Sequence, residues 1–226
     1  MEIKVMANIL DKNDLLAAEV NQYLSRKGIF VFNLLGSPGS GKTALLERTI
    51  DALKDHLRLA VIEGDLFTSK DAERIERHGV PVVQINTGGG CHLDANMVKN
   101  VLNRLNLELL DMIIIENVGN LVCPAEFNIG EDLKVTVLSI TEGEDKPLKY
   151  PLMFKQASAA ILNKVDLLPY TTFDMAAAVA DITSINPSIT LFQASCRTGE
   201  GLEPWFAWLR AQVEEKRRRG HGNDSQ

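Results

Sequence analysis

The stretch Gly36-Ser37-Pro38-Gly39-Ser40-Gly41-Lys42-Thr43 constrains this chain more than any other feature. It satisfies the pattern G-x-x-x-x-G-K-[ST] and follows the apolar run Ile29-Phe30-Val31-Phe32-Asn33-Leu34-Leu35, the strand-then-helix context that the pattern requires. Glycines let the backbone curl until successive N–H groups and the next helix N-terminus point at one anion. Lys42 is expected to reach the β- and γ-phosphates of a nucleotide, and the Thr43 hydroxyl to bind Mg²⁺. Residues 44–50 read as the following helix, with Leu45, Leu46, Thr49, Ile50 and Leu53 at core-facing spacing. The fold class expected is α/β: a P-loop NTPase fold with a mostly parallel sheet and helices on both faces.

Asn163-Lys164-Val165-Asp166 follows a second apolar run, residues 159–162. Its side chains should emerge at the carboxyl end of a strand, on the rim where open α/β sheets bind ligands. Asp166 can accept hydrogen bonds from guanine N1–H and N2–H₂, whereas adenine presents no donors there and would leave the carboxylate desolvated and unpaired. Polar pairing of this kind discriminates by factors on the order of 10⁴ to 10⁵. Asn163 and the Lys164 stem would hold the loop and cover the base. The four residues alone are a weak signal; together with a phosphate loop they are a strong one. Residues 194–201 are similar to the last guanine-contacting loop of GTPases, with the backbone N–H groups near Ser195 and Cys196 approaching the base oxygen.

Two more strands end in carboxylates. Residues 59–65 end in Asp65, a candidate for the Mg²⁺ shell or the attacking water. Residues 111–119 contain Glu116, where nucleotide hydrolases place the acid that organises magnesium, and Gly119, whose N–H can meet the γ-phosphate. Either carboxylate taken singly reads as a helix cap or a solvated strand end; the phosphate loop upstream favours the functional reading. Cys91 and His92 follow the glycine-rich residues 86–90 at a loop-to-helix junction, where adjacent side chains can turn toward one ion, and Cys123 lies just beyond Gly119. Two thiolates and one imidazole suit Zn²⁺ or, in a planar arrangement, Ni²⁺. Singly, each is more often a small buried hydrophobe or a hydrogen-bonded histidine. A thiolate so near the γ-phosphate sensor moves with it, so nucleotide state and metal affinity are expected to be linked reciprocally. Three ligands also leave a coordination position open, or invite a second subunit.

Five segments taken together carry a resemblance: GSPGSGKT, Glu63-Gly64-Asp65, NTGGGCHLDA at residues 86–95, ENVGNLVCPAEFNIGE at residues 116–131 and NKVDLLPY at residues 163–170. The chain resembles the HypB family of nickel-incorporation GTPases for [NiFe]-hydrogenase over nearly its whole length, residues 3–212. The Cys-His dipeptide with the downstream NLVCP is the most specific part, because urease accessory GTPases and cobalamin-enzyme GTPase chaperones share the nucleotide motifs and differ there. The resemblance implies a GTP-favoured homodimer that carries nickel at Cys91, His92 and Cys123. It implies exchange with the hydrogenase maturation factor HypA and transfer to the hydrogenase large subunit. One departure stands out: no Cys or His precedes His56, where some members carry a cysteine motif and others a histidine-rich stretch. A storage role is therefore disfavoured, nickel binding falls to the GTPase domain, and a natural short form is expected from the family-like opening at residues 10–14.

At 226 residues and 45% apolar the chain can bury a substantial core in one α/β domain. The division expected is a helical segment at residues 1–28 packed on the domain, a GTPase domain with an embedded metal site at 29–215, and a basic, polar, flexible tail at 216–226. The absence of a bilayer-length apolar run and the acidic Met1-Glu2 start speak against a membrane or secretory protein. Three cysteines argue for a reducing compartment, so the expectation is cytoplasmic. A formal net charge of −6 gives no footprint for nucleic acid. The run Lys216-Arg217-Arg218-Arg219 reads as the dipole-favoured end of the last helix.

Further strands are expected at residues 80–85, 133–140 and 189–194, and helices at 69–78, 93–105, 174–185 and 203–215. Residues 13–27 should pack as a helix through Leu16, Val20, Tyr23 and Leu24. Residues 67–70, 88–90 and 142–151 should be flexible, and residues 167–170 are a candidate dimer contact. No residue stands out as an arginine finger or a water-placing glutamine, so hydrolysis should be slow. The competing readings are a P-loop nucleoside or small-molecule kinase and a non-catalytic metal-binding scaffold.

Overall fold

The computed structural model describes residues 2–66 and 69–222. Seven strands form one sheet: β1 (Phe30–Gly36), β2 (Leu59–Asp65), β3 (Val82–Asn86), β4 (Met112–Glu116), β5 (Leu133–Ser139), β6 (Ala159–Asn163) and β7 (Thr190–Ala194). Their order is β3-β2-β4-β1-β5-β6-β7, and every registered pair is parallel. Parallel strands covered on both faces need near-continuous apolar runs. Every residue of β1, β4 and β6 is accordingly buried.

The helices are α1 (Glu2–Arg26), α2 (Lys42–Leu53), α3 (Lys70–Glu76), α4 (Ala95–Val101), α5 (Cys123–Glu126), α6 (Lys146–Lys149), α7 (Pro151–Gln156), α8 (Met175–Ile185) and α9 (Leu202–Gly222). One face of the sheet packs on α2 and α9. There Trp205 meets Phe32 edge-on at 5.8 Å and donates its indole N–H to Thr49 Oγ1 at 2.9 Å. The core spacing read for α2 is the one observed. On the other face, Val20 and Leu24 of α1 and Val98 of α4 pack with Val31, Ile62 and Ile115, while α7 and α8 cover β5 and β6 through Met153, Phe154 and Ile182.

Several boundaries differ from the sequence expectation for identifiable reasons. In α1 the buried stripe is Ala17, Val20 and Leu24; Tyr23 is exposed, with the Lys27 ammonium over its ring. The expected helix 93–105 is α4 plus a 3₁₀ turn, Leu102–Arg104, because Asp94 caps it by accepting from Met97 N at 2.8 Å, which leaves Cys91, His92 and Leu93 outside. Residues 142–151 are not an open loop: Pro147 and Pro151 sit in the first turns of α6 and α7, where a missing N–H costs nothing. Phe67 and Thr68 of the expected flexible stretch lie outside the described residues.

The basic run does more than favour a dipole. α9 continues through it, Lys216 donates to Ser25 Oγ at 2.6 Å and pairs with Asp132, and Arg217 pairs with Asp111 at 3.0 Å. These ties, at the amino end of the sheet, hold Lys216 and Arg217 at the expected start of the flexible tail; residues 223–226 of that tail lie outside the described residues. No helix among the described residues is long and apolar enough to cross a membrane.

Candidate functional site

The phosphate loop leaves the carboxyl end of the central strand β1, where its neighbours β4 and β5 diverge in chain order. Its glycines are required by close approach. A Cβ on Gly36 would stand 2.5 Å from Val137 O, and one on Gly41, at φ +99°, would stand 2.2 Å from Asn163 Nδ2. Lys42 opens α2 and is buried. Its ammonium donates to Gly36 O at 3.3 Å and Ser37 O at 3.2 Å, folded across the loop.

Thr43 Oγ1 donates to Glu116 Oε1 at 2.9 Å, and Glu116 is the registered neighbour of Glu63 on the adjacent strand. Both carboxylates line a cleft of about 410 Å³ with Lys42, Thr43, Asp65 and Gly119. Burial raises both pKa values well above the ordinary carboxylate range, and for Glu63 the charges of Glu116, Asp71 and Asp65 add to the rise while Lys42 opposes it. Ser40 Oγ, Glu63 Oε2 and Glu116 Oε2 are buried with no hydrogen-bond partner. Buried polar atoms are nearly always satisfied, so a cluster of orphans at a glycine-rich loop suits an anion and a hard cation. The residues therefore fit nucleotide phosphates with Mg²⁺. Asp65 is half-buried beside them at the end of β2. Glu63 is the member that the sequence reading passed over; its register opposite Glu116 becomes visible only once β2 and β4 pair.

At the other side of the loop, Asn163 Nδ2 donates to Ser40 O at 3.0 Å, and Lys164, in a left-handed conformation at φ +69°, donates through Nζ to Gly39 O at 2.7 Å. Asp166 Oδ1 accepts from Ser195 Oγ at 2.6 Å. The amides expected to meet the base are engaged inside the protein: Ser195 N–H donates to Glu200 O at 2.9 Å and Cys196 N–H to Asn163 Oδ1 at 3.2 Å. Arg48 of α2 holds the same loop through Cys196 O at 2.8 Å and Arg197 O at 3.0 Å. That contact spans 148 residues and carries no local signal in the sequence.

Cys91, His92 and Cys123 come together as expected, with ligand atoms all within 4.8 Å of one another. Cys91 Sγ lies 3.4 Å from His92 Nδ1. The His92 ring rests on Phe127 at 3.9 Å between centroids, and burial lowers its pKa, which favours the neutral imidazole that ligates metals. The Cys123 thiol is pushed up by its hydrogen bond with Cys91 and by burial. Asn120 ties the cluster to the phosphate loop. Its N–H donates to Gly36 O at 3.1 Å, its Nδ2 to Cys91 O at 3.4 Å, and its Oδ1 accepts from Val122 N at 2.8 Å. Two thiols and an imidazole, half-exposed, suit a borderline or soft divalent ion. The third cysteine, Cys196, is buried in the base loop and takes no part.

Comparison with known proteins places the chain by family and by fold. The family described as CobW/HypB/UreG, nucleotide-binding domain, matches residues 30–193. The hydrogenase maturation factor HypB of Rhizobium leguminosarum bv. viciae is 54% identical over 207 residues, covering 92% of this chain and 69% of that protein. HypB of Escherichia coli K12 is 51% identical over 210 residues, covering 93% and 72%. The crystal structure of HypB from Helicobacter pylori in complex with nickel superposes with a TM-score of 0.86 at 40% identity, covering 90% of this chain and 96% of that one.

Proposed function

The chain belongs to the CobW/HypB/UreG family, among its HypB hydrogenase maturation factors, and from that premise we propose that it is a GTP-hydrolysing metallochaperone for [NiFe]-hydrogenase. It binds nickel at Cys91, His92 and Cys123 and surrenders it in step with its nucleotide. One observation carries the reading: a single short segment runs from Glu116 in the phosphate cleft, past Gly119, to Cys123 in the metal cluster.

On this reading the loop amides and Lys42 take the β- and γ-phosphates, Lys42 exchanging the Gly36 and Ser37 carbonyls for phosphate oxygens. Thr43, Asp65 and Glu116 would hold Mg²⁺, with Glu63 behind them. When bound, that ion neutralises charge on the β- and γ-oxygens. Asp166 reads guanine, and the Ser195 and Cys196 amides would have to leave Glu200 O and Asn163 Oδ1 to meet the base oxygen. Slow turnover is supported by the one guanidinium among the cleft residues described, Arg74, being occupied by Glu47 at 2.8 Å and Asp71 at 3.0 Å.

The γ-phosphate draws on the Gly119 amide. A Cβ there would stand 3.0 Å from Pro38, so the segment already rests on the loop. Its movement shifts Cys123 against Cys91 and His92 and alters nickel affinity, with Zn²⁺ as the competing ion for the same ligands. A GTP-favoured homodimer, with Tyr170 (84% exposed) in its contact, would complete the site. HypA and the hydrogenase large subunit are the proposed donor and acceptor. A thiolate site requires a reducing compartment, which supports the cytoplasm.

The test is nickel titration into protein loaded with GDP or with a non-hydrolysable GTP analogue, followed by thiolate-to-nickel absorbance. The expected result is a nucleotide-dependent affinity and loss of the signal in Cys123→Ser. Identical binding in the two loaded forms would remove the switch from the metal site.

A further inference from the structure

Asn117 follows Glu116 at the end of β4 and is buried, at 1% exposure. Its side-chain oxygen accepts the Val118 N–H at 2.9 Å and the Leu93 N–H at 3.1 Å. Val118 precedes the γ-phosphate sensor Gly119; Leu93 follows His92 in the metal loop. One amide oxygen therefore pins both segments.

The orientation of that amide is forced. Asn117 Nδ2 donates to Asn33 Oδ1 at 3.2 Å, and Asn33 Nδ2 donates to Glu131 Oε1 at 3.3 Å, on a carboxylate whose other oxygen accepts from Ile129 N at 2.7 Å. Turning Asn117 over would aim an NH₂ group at two backbone donors. Beyond Glu131 the chain reaches the buried Lys134 ammonium at 3.7 Å, which also donates to Ala125 O at 3.1 Å in α5, the helix that begins at Cys123. Both halves of the metal cluster thus hang on one buried polar chain. The Leu93 side chain is locked as well. It occupies the space over Gly64, between Glu63 and Asp65, where a Cβ would meet it at 2.8 Å.

We propose that Asn117 is the positioning residue that couples the phosphate cleft to the metal loop, its oxygen transmitting displacement of Val118 to Leu93 and so to Cys91 and His92. Asn33 and Asn117 at the centre of the polar chain are buried at 0% and 1% exposure, and their amides are satisfied by one another and by the groups they hold. A shift of Val118 must be followed by Leu93 or leave a buried N–H without a partner. This rests on the reading of a nucleotide-linked nickel site and names the residue that does the linking.

The experiment compares nickel affinity in the GDP and GTP-analogue forms of the full chain, for the wild type and Asn117→Ala, with foldedness checked by circular dichroism. The wild-type ratio is expected within the range of couplings between sites, roughly 5- to 150-fold. In Asn117→Ala the ratio is expected to collapse to within about twofold of unity. A variant that binds nickel more weakly in both forms but keeps the wild-type ratio would overturn the proposal and leave Asn117 structural. A wild type with equal affinities would instead sink the nucleotide-linked reading itself. Should the variant fail to fold, amide exchange at Leu93 in the wild type decides. Protection that changes on swapping GDP for the analogue supports the joint, and identical protection overturns it.

Discussion

The two ends of the same sheet treat buried polar groups in opposite ways. At the amino end, Asp111 is 7% exposed and accepts from Arg58 N, Nε and Nη2 at 2.9, 3.0 and 2.6 Å, with Arg217 as a further partner. The Arg58 contact holds its carboxyl far below the usual range. Asp132 likewise takes Val31 N–H at 2.8 Å and the Lys216 ammonium. At the carboxyl end, Glu63 and Glu116 are buried as deeply, and each keeps an oxygen with no partner. Depth alone does not separate structural from functional acids; satisfaction does. One end holds the fold together, while the other keeps its polar capacity for a ligand, at a cost in stability.

The sharpest test lies at the ligand end. Replacing Asp166 by Asn should reduce the preference for GTP over ATP by a factor on the order of 10⁴, measured as competitive nucleotide binding, with little change in melting temperature. An unchanged preference would favour the kinase reading. Lys42→Ala should lower multiple-turnover phosphate release by about 10² to 10³ while the protein stays folded; release at the wild-type rate would make the loop's ammonium irrelevant.

At the other end the signs should reverse. Asp111→Asn should leave nucleotide binding intact and cost about 2 kcal/mol of stability at neutral pH. Because its folded pKa is depressed, the stability Asp111 contributes is present above its unfolded value near 4 and is lost as pH falls below it. The variant should therefore show a flatter acid limb in a melting-temperature series. The smallest effect discriminates most cleanly between the two ends. The pKa of Glu63 is raised in the fold, so ionisation opposes folding once pH exceeds its unfolded value near 4. Glu63→Gln should then stabilise the ligand-free protein by about 1 kcal/mol at pH 7 and by less at pH 4, while weakening Mg²⁺-dependent nucleotide binding. A destabilised Glu63→Gln protein would break the contrast.

The readable parts of this site were those whose chemistry fits in a few adjacent residues. Gly36 to Thr43, Asn163 to Asp166 and the Cys91–His92 pair each announce a ligand type locally, and the apolar runs that flank them announce parallel strands. What escaped depends on partners far along the chain. Glu63 matters because Glu116 lies beside it, Arg48 because it reaches the base loop, and Asn33 because Asn117 and Glu131 lie against it. Lys134 is the exception in distance: it is the second residue of an apolar strand, and its partners Glu131, Asn128 and Ala125 lie within nine residues, but only the turn before β5 aims them at its ammonium. Helix faces fared similarly: at Tyr23 periodicity indicated burial, but the small Ala17 lies inside instead.

Asn163 presses on Gly41 so closely that no other residue fits there, and its amide bonds the Ser40 carbonyl across 123 positions of chain. Chains are made from the amino end at about 5 to 20 residues per second, and contacts this distant form late. A nascent protein therefore carries the whole phosphate loop for several seconds before the residues that brace it exist. The loop is therefore fully braced only after β6 has been made.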